Sequence, residues 1–188
     1  MSATVSNSSN NNNDNANYNN DNGDYNIICK TIDDEEIIVS LGLLQQSHFF
    51  RQMCNDLNLK KGLFNEPFIF PIAIKADVFK KMVTWMEFHK GEADPIIEQD
   101  PLTCERKWFT LNEKEKAFFE MEVVDIIEVV TAANFLDLRS LYLYSCQKIA
   151  SLMKDQTAER IREIFDLPDD LTDEEKVQIR SENVWCNY

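Results

Sequence analysis

The sequence predicts an α+β fold, in which helices surround a small sheet and two further helices follow at the C-terminus. Three observations predict it. Short β-leaning runs occupy residues 27–32, 36–39 and 68–70, apolar residues recur at helical spacing in several segments between residues 41 and 153, and residues 157–188 carry two more amphipathic segments. The mixture favours one layered domain with attachments, and 188 residues are enough to bury a core.

The first 25 residues differ in composition from the rest of the chain. Asparagine dominates them, and they carry almost no apolar side chains that folding could bury. Such a segment cannot offset the entropy that ordering costs, so we expect residues 1–25 to form a disordered tail. Asp14, Asp21 and Asp24 interrupt the asparagine tract and oppose stacking between copies.

The predicted domain covers residues 26–153 and begins with a β-hairpin. Residues 27–32 and 36–39 are its strands, and Asp33, Asp34 and Glu35 form the turn. Residues 41–44 and 47–57 follow as helices. Residues 68–70, flanked by two prolines, are predicted as a third short strand.

The second half of this domain is more apolar. A helix over residues 75–89 shows a broad apolar face, and an acidic loop at about 91–107 follows it, which is typical of solvated chain and to which we assign no function. Residues 123–130 are apolar almost all round, which predicts full burial. The helix after them has one apolar stripe: Leu138, Leu141, Tyr142, Ile149, Leu152 and Met153.

Two short amphipathic helices are predicted in residues 154–188. Thr157 and Thr172 stand at N-cap positions, and Thr172 with Glu175 fits a capping box. Helices this short need a surface to lie against. Periodicity alone favours packing on the chain's own core, whereas an acidic chain that ends in apolar stripes also suits a binding partner.

Three blocks of sequence resemble the S-phase kinase-associated protein 1 family. The tail carries AERIREIF, DLPDDLTDEE and IRSENVWC; residues 132–153 read AANFLDLRSLYLYSCQKIASLM; residues 67–90 read PFIFPIAIKADVFKKMVTWMEFHK. These motifs are collinear, and the resemblance extends from about residue 26 to the end. It implies a BTB/POZ-like fold over residues 26–153 and F-box-binding helices over residues 154–188.

Proteins of that family are adaptor subunits of SCF-type ubiquitin ligases. The resemblance therefore implies a non-enzymatic adaptor, cytoplasmic or nuclear, that bridges a cullin scaffold to F-box proteins and supports ubiquitination and proteasomal degradation. It implies cullin contact at Asn134 and Phe135, where the family usually has Asn-Tyr. For F-box binding it implies these residues: Ile161, Ile164, Phe165, Arg180, Asn183, Val184 and Trp185.

Composition argues against several other classes of protein. A net charge of −14 opposes binding to nucleic acid or to an anionic membrane surface, and no apolar run is long enough to span a bilayer. The five cysteines form no C-x-x-C pair, and neither His48 nor His89 has a second ligand at helical spacing, so we expect no metal site and no cofactor. Nothing nominates a catalytic residue, so we expect no enzyme.

An alternative reading is a BTB-type interaction module, or a diverged paralogue that binds F-box-like partners outside a ubiquitin ligase. The C-terminal segment favours F-box binding, because a plain BTB module has no need of it. The asparagine-rich extension, the hairpin turn without glycine and Phe135 favour a paralogue with its own partners. An exposed apolar C-terminal face also predicts self-association when the chain is unpartnered.

Overall fold

A small sheet is followed along the chain by a series of helices, which confirms the predicted α+β class. The computed structural model describes residues 25–56 and 66–186. Of the predicted N-terminal tail, only Tyr25 falls within these residues; Leu57, the predicted end of one helix, lies outside them. The elements are β1 (Asn26–Lys30), β2 (Glu36–Ser40), α1 (Leu41–Leu44), α2 (His48–Asp56), β3 (Phe68–Ile69), α3 (Ala76–Phe88), α4 (Glu113–Phe118), α5 (Val123–Phe135), α6 (Arg139–Met153), α7 (Ala158–Ile164), α8 (Asp173–Glu182) and a 3-10 turn at Val184–Cys186.

The sheet has the strand order β2-β1-β3. β1 and β2 pair antiparallel as the predicted hairpin, and β3 pairs parallel to β1. Side chains alternate across the sheet, so Ile27, Cys29 and Val39 enter the core. Burial raises the pKa of the Cys29 thiol to about 12, which keeps it protonated and unreactive.

The hairpin turn also holds the start of α3. Asp34 adopts a left-handed conformation (φ 61°), which performs the role that glycine often has in such turns. The neighbouring Asp33 accepts a hydrogen bond from the Thr31 hydroxyl at 2.6 Å and one from the backbone N–H of Ala76 at 3.0 Å. Lys75, the N-cap residue of α3, makes no side-chain cap, so the first turn of α3 is capped from the hairpin.

Trp85 of α3 lies at the centre of the helical half. Its ring is fully buried, and its centroid lies 4.2 Å from that of His89, 5.0 Å from that of Phe118 and 5.3 Å from that of Tyr144. Its indole N–H donates to the hydroxyl of Ser140 at 2.9 Å. One side chain thus joins α3 to α4 and α6.

Helix α4 has no counterpart among the elements predicted from the sequence. Asn112 and Glu115 form a complete capping box at its start, a spacing that was present in the sequence as a signal. The other oxygen of the buried Glu115 carboxyl lies 3.0 Å from Nε2 of His89, and Nδ1 of His89 lies 2.9 Å from the carbonyl oxygen of Trp85. This pair ties α4 to the end of α3.

The acidic loop between α3 and α4 is mostly exposed, as predicted. Near its middle, Asp100 accepts hydrogen bonds from the backbone N–H groups of Leu102 and Thr103, which form a turn. The chain after it is fastened to α6 by Gln147, whose side-chain amide bonds both the N–H (2.7 Å) and the carbonyl (2.8 Å) of Phe109. Both ends of the loop are therefore fixed to helices.

The prediction that residues 123–130 are buried all round is wrong. Ile126 and Val129 are buried, but Val124 is 63% exposed and Ile127 is 40% exposed. α5 packs against α3 and α6, and the side chains of Val124 and Ile127 point away from the buried core. Val124 and Ile127 therefore lie on the surface of α5, the helix that ends at Phe135.

We predict that Asp33→Asn destabilises the fold in a pH-dependent way. The Thr31 hydroxyl and the Ala76 N–H hold the pKa of Asp33 below its ordinary value of 3.8. The ionised carboxyl therefore adds stability above about pH 4, and this contribution is lost as the pH falls. Urea unfolding at several pH values should show a less stable variant at pH 7 and a smaller loss of stability towards acid.

Asp34→Asn is the matched control for this prediction. It removes the same charge from the same turn, but Asp34 is paired only with Lys30 at the surface, 2.9 Å away. If the two variants show the same stability at neutral pH and the same acid dependence, Asp33 does not cap α3.

Candidate functional site

The C-terminal segment, residues 154–186, contributes no buried side chain among the residues whose burial the structure describes. Trp185 is 80% exposed, Val184 65% and Val177 64%. The interpretation that both apolar stripes close the chain's own core is therefore wrong. These helices leave large apolar side chains exposed at their surface.

The ends of these helices are nevertheless well defined by local chemistry. Thr157 accepts a hydrogen bond from the backbone N–H of Arg160, and Thr172 forms a capping box with Glu175, which confirms both predicted N-caps. After α7, Asp166 takes a left-handed conformation (φ 50°), and the N–H of Leu167 donates to the carbonyl of Arg162 at 2.8 Å. This is the Schellman pattern, and it turns the chain sharply towards α8.

α6 leads from the buried domain to this exposed segment. Leu141 and Leu143 in its first half are buried, whereas Ile149 and Leu152 are half-buried and Met153 is 40% exposed. The apolar stripe predicted along α6 thus leaves the core about midway. Its second half continues the exposed apolar character of α7 and α8.

Ion pairs connect α7 with α8. The Asp169 carboxyl in the linker lies 2.6 Å from the Lys176 ammonium and 3.8 Å from the Arg162 guanidinium. At the other end, Glu159 of α7 lies 3.1 Å from Arg180 of α8. Since residues near the linker pair together and residues far from it also pair together, α8 runs back along α7.

These contacts lower the pKa of the Asp169 and Glu159 carboxyl groups. The Lys176 ammonium, with help from Arg162, holds the pKa of Asp169 below its ordinary value. The pKa of Glu159 is also lowered, mainly by its own backbone N–H at the helix start and by Thr157, with a smaller contribution from Arg180. Both carboxyls therefore stay ionised at neutral pH.

The predicted F-box-binding residues occupy this segment, in different settings. Ile161, Ile164 and Phe165 are half-buried on α7 and at its end, while Val184 and Trp185 are exposed on the 3-10 turn. The amide of Asn183 donates to the carbonyl of Ile179 at 2.8 Å and so caps α8. Arg180 is engaged with Glu159 inside the chain, which the sequence did not reveal.

The predicted cullin-contact residues lie elsewhere, at the corner between α5 and α6. Asn134 is exposed, and the ring of Phe135 lies 5.4 Å from that of Phe49 on α2. Phe49 in turn contacts Phe68 of β3, with ring centroids 6.2 Å apart. The structure thus brings the Asn134–Phe135 corner together with α2 and the sheet.

Ser47 anchors α2 to this corner, a role that was not predicted from the sequence. Its buried hydroxyl donates to the carbonyl of Leu136 and accepts from the N–H of Phe50 at 3.2 Å. The backbone N–H of His48 also donates to the carbonyl of Asp137 at 3.1 Å. Serine directly before a helix is an N-cap signal, but its second bond to a residue 89 positions away could not be foreseen.

The structure also bears on metal-ion sites, disulfides and membrane-spanning helices within residues 25–56 and 66–186. No three His, Cys, Asp or Glu side chains there are grouped so that they could hold a metal ion, and Cys29, Cys54, Cys104 and Cys146 are free thiols. Among those same residues, no helix is both long enough and apolar enough to cross a bilayer.

Comparison with known proteins identifies the family. A model described as "Skp1 family, dimerisation domain" matches residues 139–186, from the first residue of α6 to the 3-10 turn. The "E3 ubiquitin ligase complex SCF subunit sconC" of Arthroderma benhamiae is 31% identical over 154 residues, which cover 82% of this chain and 90% of that protein. The chain belongs to the Skp1 family.

Two further Skp1-family relatives agree. The "Skp1-related protein" of Caenorhabditis elegans is 30% identical, over 82% of this chain and 87% of the relative. The "S-phase kinase-associated protein 1 homolog" of Tetrahymena thermophila is 31% identical, over 83% of this chain and 90% of the relative. The span matched by the Skp1-family model includes the whole segment that the fold leaves without buried side chains.

We predict that deleting residues 154–188 leaves the rest of the Skp1-family fold intact. Because none of residues 154–185 is buried, the loss should cost less than about 1 kcal/mol of the free energy of unfolding. Urea unfolding followed by far-UV circular dichroism measures it. A truncation after residue 144, which also removes the buried Gln147, is the contrast and should unfold far more easily. If both truncations lower the free energy of unfolding equally, residues 154–188 are part of the folded core.

Proposed function

We propose that this chain is a non-enzymatic adaptor of an SCF-type ubiquitin ligase, which bridges a cullin to F-box proteins and so supports protein ubiquitination and degradation in the cytoplasm or nucleus. The observation that carries the proposal is a well-capped C-terminal segment, residues 154–186, without a buried side chain. The names of the relatives, among them an SCF subunit, support the same role.

In this proposal residues 26–153 form a BTB/POZ-like unit and residues 154–188 bind the F-box. The exposed Val184 and Trp185 act as central anchors, with Ile161, Ile164 and Phe165 beside them. Large aromatic side chains are frequent hot spots because they bury much area with little loss of conformational freedom. Without an F-box the same surface would promote self-association, which the family description as a dimerisation domain supports.

The cullin contact is proposed at Asn134 and Phe135. Asn134 is exposed, and the packing of Phe135 on Phe49 fixes the corner against α2, so the two residues sit on a rigid surface. Val124 and Ile127 add exposed apolar area on the same helix. Phe135 offers a ring but no hydroxyl, so a hydrogen bond of about 0.5–1.5 kcal/mol is absent where the family has Tyr.

A second candidate function is an adaptor outside ubiquitin ligases that binds F-box proteins but no cullin. The lack of a hydroxyl at position 135 is the observation that favours it. Co-purification of the chain with a recombinant F-box domain, with and without a cullin N-terminal domain, separates the two. A ternary complex supports the bridging role, an F-box complex alone supports the second candidate, and binding to neither excludes both.

We predict that Trp185→Ala weakens F-box binding by at least about 2 kcal/mol, or roughly 30-fold, because the ring is the largest apolar group on the proposed surface. Isothermal titration calorimetry with the F-box domain measures this change. Trp108→Ala is the matched control, since Trp108 is 49% exposed but lies outside the C-terminal segment. Unchanged affinity in Trp185→Ala would refute this anchor.

We predict that Asn134→Ala lowers cullin affinity of the preformed F-box complex, while Phe135→Tyr raises it by up to roughly tenfold through the added hydroxyl. Surface plasmon resonance on an immobilised cullin N-terminal domain measures both changes. Thr131→Ala, one helical turn earlier on the exposed face of α5, tests how far the contact extends. If Asn134→Ala binds as tightly as the parent, the corner is not the cullin site.

A further inference from the structure

The relative position of α7 and α8 needs a physical cause, because neither helix has a buried residue that could fix it. α7 has 7 residues and α8 has 10, and isolated helices of that length are marginal in water. Local caps define where each helix begins and ends, but they do not set the angle between them. Ion pairs span the two helices.

We define the C-terminal clasp as five charged residues that join the two helices: Glu159, Arg162, Asp169, Lys176 and Arg180. At the linker end, Asp169 lies 2.6 Å from Lys176 and 3.8 Å from Arg162. At the open end, Glu159 lies 3.1 Å from Arg180, 21 residues further along the chain. The clasp therefore holds both ends of the helical hairpin.

Clasp charges are distinct from the other ion pairs of this segment. Arg160 pairs with Glu163 at 2.7 Å, one turn apart within α7, so that pair supports a single helix and sets no angle between helices. Every Lys and Arg between residues 156 and 186 is thus paired with an acid of the same segment. Arg180 already has a partner within the chain, although the family resemblance implies that it contacts the F-box.

Isolated surface ion pairs contribute little to stability, but several charges that form a network contribute more and can favour one orientation of two helices. The side chains of Arg162 and Lys176 are only 21% and 22% exposed, so their charges are partly shielded from solvent. A partner that meets helices already at the right angle loses less conformational entropy on binding. Ion pairs that are weak individually can therefore have a measurable effect on the affinity of this segment for a partner.

We propose that the C-terminal clasp pre-positions the apolar surface around Val184 and Trp185 for its F-box partner, and that Arg180 acts through Glu159 as a positioning residue. This inference rests on the proposed function. It replaces the direct F-box contact that the family resemblance implies for Arg180 with an indirect role. It also makes Glu159, which carries no apolar group, a determinant of affinity.

A double-mutant cycle tests the proposal. Glu159→Gln and Arg180→Gln should each weaken binding of a recombinant F-box domain roughly two- to fivefold, and the double variant should be no weaker than either single one. Raising the salt from 0.1 M to about 1 M, where the Debye length falls from about 10 Å to about 3 Å, should remove the difference from the parent chain. Arg160→Gln is the matched control and should bind like the parent.

A direct contact of Arg180 with the F-box would give another pattern. Arg180→Gln would then lose affinity while Glu159→Gln would not, and this result would overturn the proposal. So would purely additive effects of the two substitutions, because residues that act as one pair cannot contribute independently.

The angle between the helices is measured separately, in the free chain. Residual dipolar couplings of backbone amides in α7 and α8 give this angle without any partner. We expect it to change or to spread in Arg180→Gln and to stay as in the parent in Arg160→Gln. An unchanged angle in Arg180→Gln overturns the clasp even if F-box binding holds, whereas failure of the parent chain to bind any F-box overturns the proposed function.

Discussion

Burial of Trp85 is the interaction on which the rest of the structure depends. A buried indole of this size contributes several kcal/mol and needs a partner for its N–H, which Ser140 provides. Its ring contacts on Phe118 and Tyr144 bring α4 and α6 to α3, while Asp33 fixes the other end of α3 to the hairpin. α3 is therefore the element through which the sheet and the helical half share one core.

That core ends midway along α6, and this point divides the chain into a buried domain and an exposed C-terminal segment. Up to about residue 147, side chains are held by burial and by specific bonds such as that of Gln147 to Phe109. Beyond it, no side chain up to residue 185 is buried, and the last two helices are defined by caps and joined by ion pairs. A surface built in this way can be covered by a partner without any loss of the domain's own packing, which is what an adaptor requires.

Much of the fold and of the site could be predicted from local sequence. The hairpin, α3 and the caps at Thr157 and Thr172 depend on residues close in the chain, so their patterns were sufficient. α4 was missed because its six residues show no long apolar period, although the Asn112–Glu115 box marked its start. The resemblance to a known family, rather than periodicity, implied cullin contact at Asn134 and F-box contact by the C-terminal segment.

The sequence by itself determined which residues start helices, which face of each helix is apolar and that the chain belongs to the Skp1 family. Only the tertiary structure decided which apolar faces are covered. Val124 and Trp185 have the same local pattern as buried residues, and they are exposed because no described element packs over them. It also decided that Arg180 meets Glu159. Periodicity specifies a direction around a helix axis, whereas burial and pairing depend on what lies in that direction, and that is set by contacts between distant parts of the chain.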